Sequence, residues 1–111
     1  MTIPTEVAET VINRAGGYCE VMFAAACTGR AEHLHHRKLR SQLGRHEVEN
    51  LLHICHQCHT WIHAHPAASY ERGFLVRGSR EPAHHPVLYR NGKLLYLTRS
   101  GEVVKGGRQG V

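Results

Sequence analysis

The chain contains no aspartate. That absence argues against enzymes that clamp pairs of metal ions between several carboxylates. It also lacks any apolar run approaching the roughly 20 residues a helix needs to cross a bilayer, which argues against a transmembrane or membrane-bound protein. Its first ten residues carry Glu6 and Glu9 and lack the basic-then-apolar layout of a secretion signal. The chain therefore reads as intracellular and cytoplasmic. Disulfides are disfavoured in that compartment, so the four cysteines need another explanation. No internal repeat or low-complexity segment interrupts the sequence.

What is present is a chain of 111 residues, the length of one small domain, read here as residues 1–111. At 41% hydrophobic and 21% charged residues, its composition suits a globular domain whose modest core benefits from a staple. Lys plus Arg number 14 against 9 Glu, a formal charge of +5, and eleven of the 14 are Arg. Arginine grips phosphate with a planar fork, so this balance suits a polyanionic partner. Eleven histidines are the opposite anomaly to the missing aspartates. Metal chemistry in this chain is expected to use imidazole and thiolate.

The local pattern predicts an α+β fold. A short helix runs over 6–14, capped by Thr5 and stopped by Gly16-Gly17, with Val7, Val11 and Ile12 as its buried stripe. Tyr18 to Val21 reads as extended, Cys27-Thr28-Gly29 as a turn, and Ala31 to Arg37 as a strand. Residues 38–49 have no apolar period and read mostly as loop. Leu51 to Ile54 is a second strand, and Cys58 to Ala64 is a helix ended by Pro66. A helical turn over Ala67 to Arg72 precedes Gly73. A C-terminal hairpin over 86–104 pairs Val87–Arg90 with Lys93–Thr98 across Asn91-Gly92, a dipeptide favouring a type I′ turn. Ser100-Gly101 turns toward Val103-Val104, and 106–111 reads as a frayed tail.

Cys55-His56-Gln57-Cys58 is a CxxC knuckle, two thiolates aimed at one tetrahedral centre. Cys19 and Cys27 complete a four-thiolate structural zinc site, a closed site that staples the first half of the chain to the second. Seven residues separate Cys19 from Cys27 where the usual knuckle has two. His56 is the alternative fourth ligand in a three-thiolate site. Four reduced cysteines acting as small hydrophobes are the blander reading.

The histidines are concentrated between Glu32 and His65. His35 and His36 are adjacent, so on a strand they face opposite ways. One can hold a metal while the other acts as a base. His59 and His63 are i and i+4, one turn apart on one helix face. Three imidazoles, from His35, His59 and His63, leave open positions on an ion for water and phosphate. Asn50 lies fourteen positions after His36, inside the same stretch. His46, His53, His65, His84 and His85 have no such support and read as solvated or structural. Trp61 reads as core.

The order and spacing of His35-His36, Asn50, His59 and His63 resemble the HNH endonucleases, the ββα-metal or His-Me finger nucleases. Cys55-xx-Cys58-His59, together with Leu34-His35-His36-Arg37-Lys38-Leu39-Arg40-Ser41, resembles the zinc-knuckled HNH proteins of bacteriophages in particular. The likeness covers about half the chain, from Cys19 to Pro66, with the core over 18–66. It implies a small ββα-metal core flanked by the N-terminal helix, the structural cysteine–zinc site and the C-terminal hairpin.

Further roles follow from the resemblance. His36 is the expected general base toward the attacking water, and His35, His59 and His63 are the expected ligands of one divalent cation: Mg, Mn, Ni, Co or Zn. Asn50 is expected to brace the loop between the strands and so orient His36. Arg37, Lys38, Arg40 and Arg45 are expected beside the backbone of double-stranded DNA, and the products should carry a 5′-phosphate and a 3′-hydroxyl. A phage origin, and with it a terminase large subunit as partner in DNA packaging, is a further implication. One departure is His33, at a position often acidic in the family. It reads either as a partner of His36 or as an exposed strand residue. A non-catalytic, zinc-stabilised DNA-binding module is the competing function.

Overall fold

The computed structural model describes residues 2–106. Leu51, Leu52 and Ile54 are fully buried, and their strand is the centre of the fold. This strand, β2 (Leu51–Ile54), pairs antiparallel with β1 (His33–His36), setting His35 opposite Leu52 and His36 opposite Leu51. Because side chains alternate across a strand, β2 serves two cores at once. Leu52 and Ile54 join the main cluster with Ile62, Phe74, Val87 and Leu97. Leu51 turns the other way, onto Val11 and Val48 beneath the first helix, with Leu34 of β1 packed alongside.

That helix, α1 (Thr5–Ala15), departs from the sequence reading in two ways. Thr5 is its first helical residue and makes no side-chain cap; Pro4 holds the N-cap position. The Pro4 carbonyl accepts from Ala8 N at 3.0 Å, which moves the cap one residue earlier. Ile12 is 41% exposed rather than buried. The inward stripe is Val7, Val11 and Ala15, spaced by four, and Ile12 lies off it. Gly16 closes the helix in the left-handed region, at φ 68°, its N–H on the Ile12 carbonyl.

Tyr18 to Val21 does not form a strand: Tyr18 makes one isolated bridge with Arg30, and the chain then bends, with Met22 at φ 43°. The strand expected over 31–37 is shorter, His33–His36. The second helix, α2 (His56–Ala64), begins earlier than expected because Cys55 caps it, its Sγ accepting from Cys58 N at 3.3 Å. α3 (Pro66–Glu71) follows at once, and Ser69 within it donates to the Ile62 carbonyl at 3.2 Å. Gly73 then takes φ 76° with no room for a side chain: a Cβ would lie 2.0 Å from the Pro86 carbonyl oxygen. This tight turn lays Phe74–Val76 beside β1, where Val76 N donates to the Arg37 carbonyl.

A second sheet holds β3 (Val87–Leu88), β4 (Leu94–Leu97) and β5 (Val103–Val104), all antiparallel. Its first turn is not type I′, because Gly92 is at φ 81° while Asn91 has no positive φ. Gly92 N donates to the Tyr89 carbonyl and Tyr89 N to the Lys93 carbonyl, a type I turn followed by a glycine bulge. The described residues thus form a small mixed α+β fold with three helices and two small sheets. None of these helices is long and apolar enough to cross a membrane. Residues 107–111 of the expected tail lie outside the described region.

Two buried polar nodes tie these pieces together. Glu20, fully buried, accepts from Arg14 at 2.7 and 2.9 Å, from Tyr89 Oη at 2.8 Å and from His53 N at 2.8 Å. The second node is Arg37, and it corrects the sequence reading. Its side chain is 0% exposed, and its guanidinium donates to the carbonyls of Gly73, Glu49, Pro82 and His85 at 2.8 to 3.2 Å. Arg37 is therefore closed to a DNA backbone. Burial pulls its pKa down to about 9, still well above neutrality. Arg37→Met leaves four carbonyls without their donor, so denaturant unfolding should report a loss of about 3–5 kcal/mol. An unchanged midpoint with weakened DNA binding would restore the phosphate role.

Candidate metal centre

Cys19, Cys27, Cys55 and Cys58 converge so that their sulfurs lie within 4.8 Å of one another. The seven residues between Cys19 and Cys27 fold over the group and donate to it. Met22 N reaches Cys19 Sγ at 3.4 Å and Ala24 N reaches Cys58 Sγ at 3.5 Å. Gly29 N reaches Cys27 Sγ at 3.3 Å. Phe23, at the crest of this loop, packs edge-on against Trp61 and Phe74. Amide donors aimed at sulfur stabilise thiolates more than thiols. A hydrogen bond from Cys58 drops the Cys19 thiol to about 5, and the same bond pushes Cys58 up. The group is suited to a metal ion of the zinc type. His56 is not in it; the ring is exposed, and its backbone N donates to Glu32 at 2.8 Å.

A second group forms where β1 meets α2. His35, His59 and His63 each offer a ring nitrogen, all within 4.8 Å of one another. The rings of His59 and His63 are 4.8 Å apart, and His35 is 5.2 and 5.6 Å from them. His35 is 1% exposed, and its Nε2 is 2.8 Å from the Phe74 carbonyl. A carbonyl can only accept, so Nε2 carries the proton and the lone pair is on Nδ1. A carbonyl behind a ligand histidine fixes ring and tautomer in just this way. Burial pushes His35 down to about 3, and burial with His63 nearby pushes His59 down to about 4. Both are neutral imidazoles near pH 7, the form that binds a metal.

His36 faces the other side of β1. Its Nε2 lies 2.9 Å from Nδ1 of His46, the rings 5.1 Å apart. Burial first, then the neighbouring imidazole and Arg40, hold His36 below its usual pKa. Asn50 is fully buried and binds the intervening loop at both ends. Its Oδ1 accepts from Lys38 N at 2.7 Å, and its Nδ2 donates to the Lys38 and Arg45 carbonyls at 3.1 and 3.0 Å. Gly44 closes the loop against the Lys38 carbonyl, leaving no space for a Cβ. Arg40 donates to the Gly44 carbonyl from an exposed position, Arg45 is exposed and Lys38 is half-buried.

His33 lies on the same strand face as His35, and its ring is 5.4 Å from His56 and 5.3 Å from His59. It is therefore not a partner of His36. That partner is His46, which the sequence reading left as solvated or structural. Its contact spans ten residues of irregular loop, and no periodicity marks it. The buried pair Arg14–Glu20 likewise carries no periodic mark in the sequence.

No family model, curated protein or solved structure matches this chain. Its chemistry is read from its own side chains. Two metal-ready groups, one of sulfur and one of imidazole, stand on successive residues of one helix: Cys58 belongs to the first and His59 to the second.

Proposed function

We propose that this protein is a metal-dependent DNA endonuclease of the HNH type, with His36 as general base and one divalent cation held by His35, His59 and His63. The observation that carries the reading is the convergence of those three imidazoles beside a strand whose next residue, His36, has one ring nitrogen held and the other available. A closed sulfur site serves folding; the three-nitrogen site leaves positions for substrate. A divalent cation there supplies charge stabilisation at the phosphate and the departing oxygen. Nitrogen donors suit Mn, Ni, Co or Zn better than Mg.

His36 takes a proton from the attacking water as its oxygen bonds to phosphorus. The 3′ oxygen leaves and is protonated from solvent, giving a 5′-phosphate and a 3′-hydroxyl. Asn50 holds the 38–45 loop, and that loop offers Lys38, Arg40 and Arg45 to the phosphate backbone. The Arg77–Arg80 turn adds two exposed cations beside the same loop, since a Cβ on Gly78 would lie 3.5 Å from Gln42. The setting this suits is double-stranded DNA in a bacterial cytoplasm, with phage DNA packaging and a terminase large subunit as the wider context.

The test is plasmid cleavage by protein stripped at the imidazole site under mild chelation, with the thiolate site still loaded. Re-supplying one divalent ion at a time should restore nicking or linearisation with Mn, Ni, Co or Zn. Tight DNA binding with no cleavage under any ion would favour the zinc-stabilised binding module.

A further inference from the structure

We infer that His46 is the positioning residue for His36: its Nδ1 accepts from His36 Nε2–H and so keeps the lone pair of His36 on Nδ1. The inference rests on the nuclease reading, which needs a free base nitrogen on His36. Across the 2.9 Å contact one nitrogen donates and the other accepts. If His46 donated, His36 would carry its own proton on Nδ1 and present no base. If His36 donates, Nδ1 is free and the ring is held in one orientation. This is the relation between a base and its orienting group found wherever an imidazole must keep one tautomer.

The surrounding chain is built to hold His46 there. Asn50 Nδ2 donates to the carbonyl of Arg45, the residue immediately before His46. Gly44, two residues before, is packed against the Lys38 carbonyl with no clearance for a side chain. Val48, two residues after, is buried beneath α1 with Val11 and Leu51. His46 is thus pinned from both sides. The side-chain hydrogen bonds of Asn50 go to Lys38 and Arg45, so its brace reaches the His36 ring through this second imidazole. His46 Nε2 is itself buried without a hydrogen-bond partner among the described residues. With Nδ1 accepting, Nε2 carries the ring's proton, and the contact with His36 is the one hydrogen bond the His46 ring makes among the described residues.

The experiment uses the full chain with its thiolate site loaded and its histidines labelled with ¹⁵N. Long-range ¹H–¹⁵N spectra should give His36 a pyrrole-like Nε2 and a pyridine-like Nδ1. In His46→Ala the two tautomers should mix, and kcat for plasmid nicking should fall about 100-fold with KM unchanged. His46→Asn, whose Oδ1 can stand where Nδ1 stands, should recover most of that loss and the single tautomer. His46→Ala cleaving at the wild-type rate would overturn the inference. So would a wild-type spectrum with the His36 proton on Nδ1, in active and inactive protein alike. Wild-type protein that binds DNA but cleaves it under none of the supplied ions overturns the nuclease reading instead.

Discussion

His36→Ala should abolish plasmid cleavage, by at least about 10²–10⁴-fold, while folding and the metal content of both sites stay as in the wild type. The separation is expected because of where the side chain points. His36 shares its strand face with Leu34, away from His35, His59 and His63. It is half-buried, and its one described side-chain hydrogen bond is with His46. Removing it therefore takes nothing from the sulfur group or the imidazole group. Steady-state nicking with the restored ion, run beside metal analysis of the same preparations, checks the pair of outcomes. Cleavage retained in His36→Ala would remove it as the base.

The second large effect is expected at the thiolate group. Cys58→Ser should release the structural ion and unfold the chain. Cys58 is 1% exposed and lies in the main core with Cys19 and Cys55. A structural zinc in such a site contributes about 10–16 kcal/mol, against a total stability of about 5–15 kcal/mol for a domain. Chelators should therefore act in two stages. Mild chelation empties the imidazole site and leaves a cooperative thermal transition, whereas stripping the thiolate site removes the transition. Circular dichroism melts with parallel zinc quantitation give both stages. A Cys58→Ser protein that melts cooperatively with full zinc would refute the structural role.

The legible parts of the fold and site were those with local periodicity. Leu51–Ile54 reads as a short strand from its mostly apolar run, and its bounds in the structure match. His59 and His63 were placed together by helical spacing, and adjacent His35 and His36 were separated by the strand alternation. The cysteines converged although the first pair had an unusual gap, because the extra residues cover the sulfurs without displacing them. Illegible were contacts whose partners are backbone carbonyls or distant loops. Arg37 stood in a basic run and read as a phosphate ligand. Its fate was set by four carbonyls from separate segments, none with a sequence signature. Thr5, Ile12 and the hairpin turn were misplaced by one residue or one dihedral, enough to move a cap, a stripe or a turn type.

The adjacency of Cys58 and His59 on α2 has a thermodynamic consequence. Successive residues project about 100° apart around a helix axis, so one rigid rod aims a sulfur at one group and an imidazole at the other. Any rotation of α2 that relaxes one group misaims the other. Occupancy at either site would favour the same helix orientation, so an ion at one would raise the affinity at the other, by the same factor in both directions. A metal ion at the sulfur group would then bear on more than stability, since its presence would tune how readily the imidazole site fills.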